Sequence, residues 1–142
     1  MSLDLARRAV ACKGFRWMPG MLTLEEIVPP AITLPLGDYH LPNTGWDPAR
    51  VLHADEGDTV RVCTVFGKVR DIHDTALPDL TDPATLGCLL ALVREAWGCP
   101  DLSVVGTPED WRIDAEGVVG VRDLHSYPSE TAALVAALEA AP

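Results

Sequence analysis

The chain has 142 residues, 48% of them hydrophobic and 23% charged, with 21 Asp and Glu against 11 Lys and Arg. That length fits one domain, and a chain of this size buries enough surface to fold without disulfides or a structural metal. The composition excludes a disordered chain, and a net charge of −10 disfavours direct nucleic-acid binding, because phosphate backbones repel it.

The charge is uneven. In the first 20 residues Arg7, Arg8, Lys13 and Arg16 stand against Asp4 alone, so the acidic excess lies in the rest of the chain. The four cysteines, Cys12, Cys63, Cys88 and Cys99, form no C-x-x-C pair. They read as free thiols of a reducing compartment. No apolar run reaches the roughly 20 residues that span a bilayer, and no secretory signal opens the chain. A soluble cytoplasmic protein with no membrane association is expected.

In chain order, Ser2 is placed to cap a first helix over about residues 3–13, with Leu5, Ala6, Ala9, Val10 and Cys12 as its apolar stripe. FRWMPGM follows at 15–21, where Pro19-Gly20 fits a tight turn flanked by Phe15, Trp17, Met18 and Met21. Residues 22–58 read as a long, Pro-rich loop or insertion. LTLEEIV offers a short strand, but Pro29, Pro30, Pro35, Pro42 and Pro48 break any long helix or central strand. TVRVCTVF at 59–66 alternates as a strand, with Val60, Val62, Thr64 and Phe66 on one face. Gly67-Lys68 reads as its turn and VRDIH at 69–73 as the return strand.

The strongest signal is DPATLGCLLALVREAWG at 82–98. Asp82 caps a helix, Pro83 opens it, Gly98 closes it and Pro100 stops it. Because Cys88, Leu92 and Ala96 make much of its second face apolar, this helix is expected to be buried at the centre of the core. SVV at 103–105 suggests an edge strand. WRID at 111–114 and VVGVRD at 118–123 read as a second hairpin around Ala115-Glu116-Gly117. Ser129 caps a last helix over 130–141. The expected fold is one α+β domain over 1–142. Its small antiparallel sheet of two hairpins packs on the central helix, with N- and C-terminal helices beside it.

Motifs of chemistry are sparse. His40, His53, His73 and His125 do not pair with one another or with a cysteine at metal-ligand spacing. Asp71 and His73 share a strand face, but two ligands make no site. Ser126 follows His125 directly, and adjacent residues rarely aim at one point. No G-x-S-x-G elbow, phosphate loop or dinucleotide fingerprint occurs. The expectation is therefore no catalytic residue, no cofactor and no metal.

Three stretches carry a resemblance. WMPGM after the first helix, LPDLTDPATLGCLLALVREAWG at 77–98 and ETAALVAALEAAP at the C-terminus resemble small uncharacterised proteins encoded by bacteriophages, prophages and their hosts. The resemblance implies that genomic setting and no mechanism. The expected function is non-enzymatic protein–protein binding. The alternatives are an acidic nucleic-acid mimic that inhibits a host protein, or a small enzyme with a dispersed site. Docking is expected at Arg16, Trp17, Met18 and Met21, where positive charge and large apolar side chains meet a rigid Pro-Gly turn.

Overall fold

The computed structural model describes residues 3–26, 46–54 and 59–142. The elements run α1 (Leu3–Ala11), β1 (Leu22–Glu26), β2 (Trp46–His53), β3 (Arg61–Thr64), β4 (Val69–Asp71), β5 (Leu77–Pro78), α2 (Pro83–Trp97), β6 (Ser103–Gly106), β7 (Trp111–Asp114), a 3-10 turn (Val121–Asp123) and α3 (Glu130–Ala140). The described residues form a single α+β domain with three α-helices, a five-stranded antiparallel sheet of order β4-β3-β2-β1-β5, and a separate β6-β7 hairpin. The expected Ser2 cap, the prolines at 29, 30, 35 and 42, and the acidic run at 55–58 lie outside the described residues.

Pro48 does not break a central strand. It sits inside β2, between β1 and β3, opposite Leu24. Val51 exchanges both of its backbone hydrogen bonds on the β1 side, with Gly20 and Met21. Backbone groups alternate sides along a strand, so those of Pro48 point the other way, toward β3. The β3 ladder begins only at Ala49–Thr64, so at Pro48 no hydrogen bond is forgone.

The sheet curls. Residues 72–76 carry the chain from β4 at one edge to β5 at the other. Strands about 4.8 Å apart would set those edges roughly 19 Å apart if the sheet were flat. The connection turns back on itself, with the Ala76 N–H donating to the His73 carbonyl at 3.1 Å, and is not extended enough for that span. Curling brings Glu25 of β1 to Arg70 of β4 past two intervening strands. Met21, Thr23, Ala49, Val51 and Val62 share the inner face and are all at most 2% exposed.

The sheet meets the helices mainly through β5 against α1. The element with the most neighbours is α3, which packs against α1, α2, β6 and β7 and buries Ala133, Leu134, Val135, Ala137 and Leu138. Helix α2 has the expected bounds, with Asp82 accepting from the Thr85 N–H and Gly98 in the left-handed conformation. It is less enclosed than its composition suggests. Leu89, Leu92 and Val93 are buried, while Ala84, Gly87, Ala91 and Glu95 face solvent. Small residues on its outer face make the sequence read as apolar all round, although that face is wet.

The second hairpin also differs. WRID pairs with SVVG at 103–106, whereas 118–120 form a turn that leads into the 3-10 turn. Gly120, with φ at +94°, directs the chain away from strand geometry and lies over the Trp97 ring.

Candidate functional site

The β3-β4 connection builds the most exposed apolar feature among the described residues. Thr64 anchors it. The Gly67 N–H donates to the Thr64 carbonyl at 2.9 Å, the Thr64 N–H donates to the Lys68 carbonyl at 2.9 Å, and the Lys68 N–H donates to Thr64 Oγ1 at 3.2 Å. Gly67 adopts φ of +77°, which this three-residue connection requires. The turn is therefore Val65-Phe66-Gly67, which begins two residues before the Gly67-Lys68 turn expected from the sequence. Phe66 consequently leaves the strand before its alternation would bury it. Phe66 is 93% exposed and Val65 68%. Val69 on β4 and Leu52 on β2 are also exposed. Lys68, at the same tip, makes no ion pair among the described residues.

A second feature lies around the connection between β7 and the 3-10 turn. An open cleft of about 480 Å³ is lined by Arg112, Ile113, Asp114, Ala115, Glu116, Gly117 and Val121. A neighbouring one of about 450 Å³ shares Gly117 and adds Val118, Val119, Gly120 and Asp123. Val119 is 94% exposed. Asp114 and Glu116 make no ion pair among the described residues.

One buried carboxylate invites a catalytic reading, and its surroundings answer it. Glu25 is 3% exposed. Its Oε1 accepts from Arg70 at 2.8 Å and from the His73 backbone N–H at 3.1 Å. Arg70 also forms an ion pair with Oε2, and His73 Nε2 lies 3.4 Å from that same atom. A carboxylate held this way by a guanidinium is a clasp that closes the curled sheet, because the charge is neutralised where burial alone would penalise it.

A comparable network ties the sheet to α2. Arg50 forks onto both oxygens of Asp82 at 3.1 Å and donates to the Gly20 carbonyl at 2.7 Å. The Thr85 hydroxyl donates to Asp82 at 2.8 Å and accepts from the Leu22 N–H at 2.8 Å. The Arg50 guanidinium holds the Asp82 carboxyl below its ordinary value, helped by the Thr85 bonds and opposed by burial.

The segment expected to dock a partner is divided between surface and core. Met21 is fully buried, so it packs inward and offers nothing to a partner. Trp17 and Met18 are half-buried against the core, with Phe15 edge-on to Trp17 at 5.3 Å between ring centroids. Arg16 is exposed and forms a bidentate pair with Glu95 at 2.9 and 2.8 Å, which lowers the Glu95 pKa. His125 and Ser126 do meet, with Nδ1 3.2 Å from Oγ, and Ser126 has φ of +66°. Both are exposed, and neither lines either cleft described above. Among the described residues no three His, Cys, Asp or Glu side chains converge as a metal site would need, and no helix is long and apolar enough to cross a membrane.

No family model, no curated protein and no solved structure matches this chain. The sequence did not single out Phe66 or Val119. The signal for Phe66 was present in T-V-F-G-K, a Gly-containing turn whose preceding residues are apolar.

Proposed function

We propose that the protein acts by protein–protein binding, as an accessory protein of phage or prophage type, with the β3-β4 tip as its docking element. The observation that carries this reading is Phe66, 93% exposed at the end of a hydrogen-bonded turn. Exposing an aromatic ring costs roughly 1.5–3 kcal/mol relative to burying it, and Phe66 beside the exposed Val65 forms an apolar patch of the kind that supports an interaction site. Aromatic anchors of this kind supply much of the energy of interfaces. The turn is ordered before binding, so little conformational entropy is lost on docking. Arg16, Trp17 and Met18 belong to the proposal as a secondary contact. The genomic setting rests on the resemblance of WMPGM and the 77–98 stretch.

The test is a photo-crosslinking residue placed at position 66 and activated in cells that express the protein in its natural setting. A discrete protein adduct, absent when the probe sits at exposed Glu109, is expected. Irradiation that yields no adduct specific to position 66 would defeat the reading.

A further inference from the structure

We infer that the occupant of the β3-β4 tip is a second copy of this chain, which presents its 114–120 loop, so that copies join head to tail. The inference rests on the binding role of the tip and names its partner. Among the described residues the two most exposed large apolar side chains are Val119 and Phe66, the latter beside Val65. At 93% and 94% exposure, Phe66 and Val119 do not cover each other within the chain. They belong to different parts of the fold. The tip closes the β3-β4 end of the curled sheet, and the loop follows the β6-β7 hairpin that packs on α3.

Charge decides how they pair. The tip carries Lys68 without an ion pair among the described residues, while Arg61 is paired with Asp71 and Arg70 with Glu25. The loop carries Asp114 and Glu116, both without ion pairs among the described residues, and is followed in sequence by Arg122 and Asp123, which are of opposite charge. Tip against tip would oppose Lys68 to Lys68. Loop against loop would oppose carboxylates to carboxylates. Only tip against loop sets opposite charges together around two apolar side chains. The 480 Å³ cleft adjoins the one that Val119 lines, shares Gly117 with it, and has room for a phenyl ring, with Gly117 leaving its wall bare of a side chain. Arg112 lines the same cleft and offsets one of the two carboxylates, which leaves a net charge of −1 there. The net charge of −10 opposes association at long range, but salt screens that repulsion beyond about 8 Å while the contact itself lies within it.

A contact this small falls below the roughly 1,200 Å² of stable complexes, so it is transient and seen at high concentration. Because the two surfaces differ, one molecule can use both at once, and the assembly grows as a ring or an open chain.

Sedimentation velocity of the full chain, up to about 1 mM, tests this. The sedimentation coefficient is expected to rise with concentration. Phe66→Asp and Val119→Asp are each expected to remain monomeric, because both positions are exposed and neither change disturbs the core. Mixing the two variants is expected to give a dimer and nothing larger, since one retains an intact loop and the other an intact tip. Lys68→Glu is expected to weaken association and Lys68→Glu with Glu116→Lys to restore it. A wild-type chain that stays monomeric to about 1 mM overturns the inference, as does a mixture that stays monomeric while the wild type associates. The two proposals fail separately. A position-66 adduct with a different protein, beside a monomeric wild type, retains the binding role and removes self-association. No adduct and no association remove both.

Discussion

Replacing Thr85 with Val deletes one hydroxyl from the junction between the sheet and α2 and leaves the shape almost unchanged. Thr85 is 0% exposed. Its oxygen is the partner of the Leu22 N–H at 2.8 Å, and its proton goes to Asp82 at 2.8 Å. The valine methyl fills the same space and can do neither. Asp82 keeps the Thr85 backbone N–H and both Arg50 nitrogens, so its loss is partial. The Leu22 N–H loses its partner where the site is already filled. An unsatisfied buried donor costs about 1–3 kcal/mol. For a chain of this length that corresponds to a melting temperature lower by roughly 3–12 °C. Thermal unfolding followed by circular dichroism reads the shift, with Thr85→Ser as the control. Serine keeps the hydroxyl and loses one methyl, worth about 0.8 kcal/mol in burial, so it is expected to sit between valine and the wild type. A Thr85→Val protein that melts within 1 °C of the wild type, on the order of what thermal melts resolve, would refute the reasoning, because it would mean the Leu22 N–H is satisfied some other way.

Two further changes test the ion pairs. Asp82→Asn keeps a capping side chain but removes the charge that Arg50 holds. The Asp82 pKa is lowered on folding from its ordinary value of 3.8, so its contribution is present above that value and is lost as pH falls through the lower folded one. The stability gap between wild type and Asp82→Asn, measured by urea unfolding, is therefore expected to be full at neutral pH and to shrink in acid; a gap that widens in acid would contradict the assigned direction. Arg70→Ala leaves the Glu25 carboxylate buried and is expected to cost about 3–5 kcal/mol, while Glu25→Leu with Arg70→Met recovers most of that loss. A double variant no more stable than Arg70→Ala would show that Arg70 acts through other contacts.

What the sequence revealed follows from what is local. Asp82, Pro83 and Gly98 act through backbone groups within one turn of themselves, so the bounds of α2 were readable to the residue. The β3-β4 strands were readable because alternation and a glycine mark them, but the turn begins two positions earlier than expected, and that shift decides whether Phe66 is core or surface. Pro48 misled because its cost depends on which neighbouring strand its missing N–H would have met, a tertiary fact. The partner of WRID was misassigned because two candidates, SVV and VVGVRD, flank it with similar composition. Nothing in the sequence distinguishes them until Gly120 and Trp97 are seen together. Glu25 was overlooked for the same reason. It meets Arg70 from 45 residues away, through the curl of the sheet.

The proposed role depends on Phe66 being free of its own fold, and one measurement addresses that directly. The melting temperature of Phe66→Ser is expected to equal that of the wild type, since an exposed substitution away from the core changes stability by no more than about 0.5 kcal/mol. A drop comparable to truncating a core aromatic, about 3–5 kcal/mol, would place the ring inside the protein and remove the docking element on which the account rests.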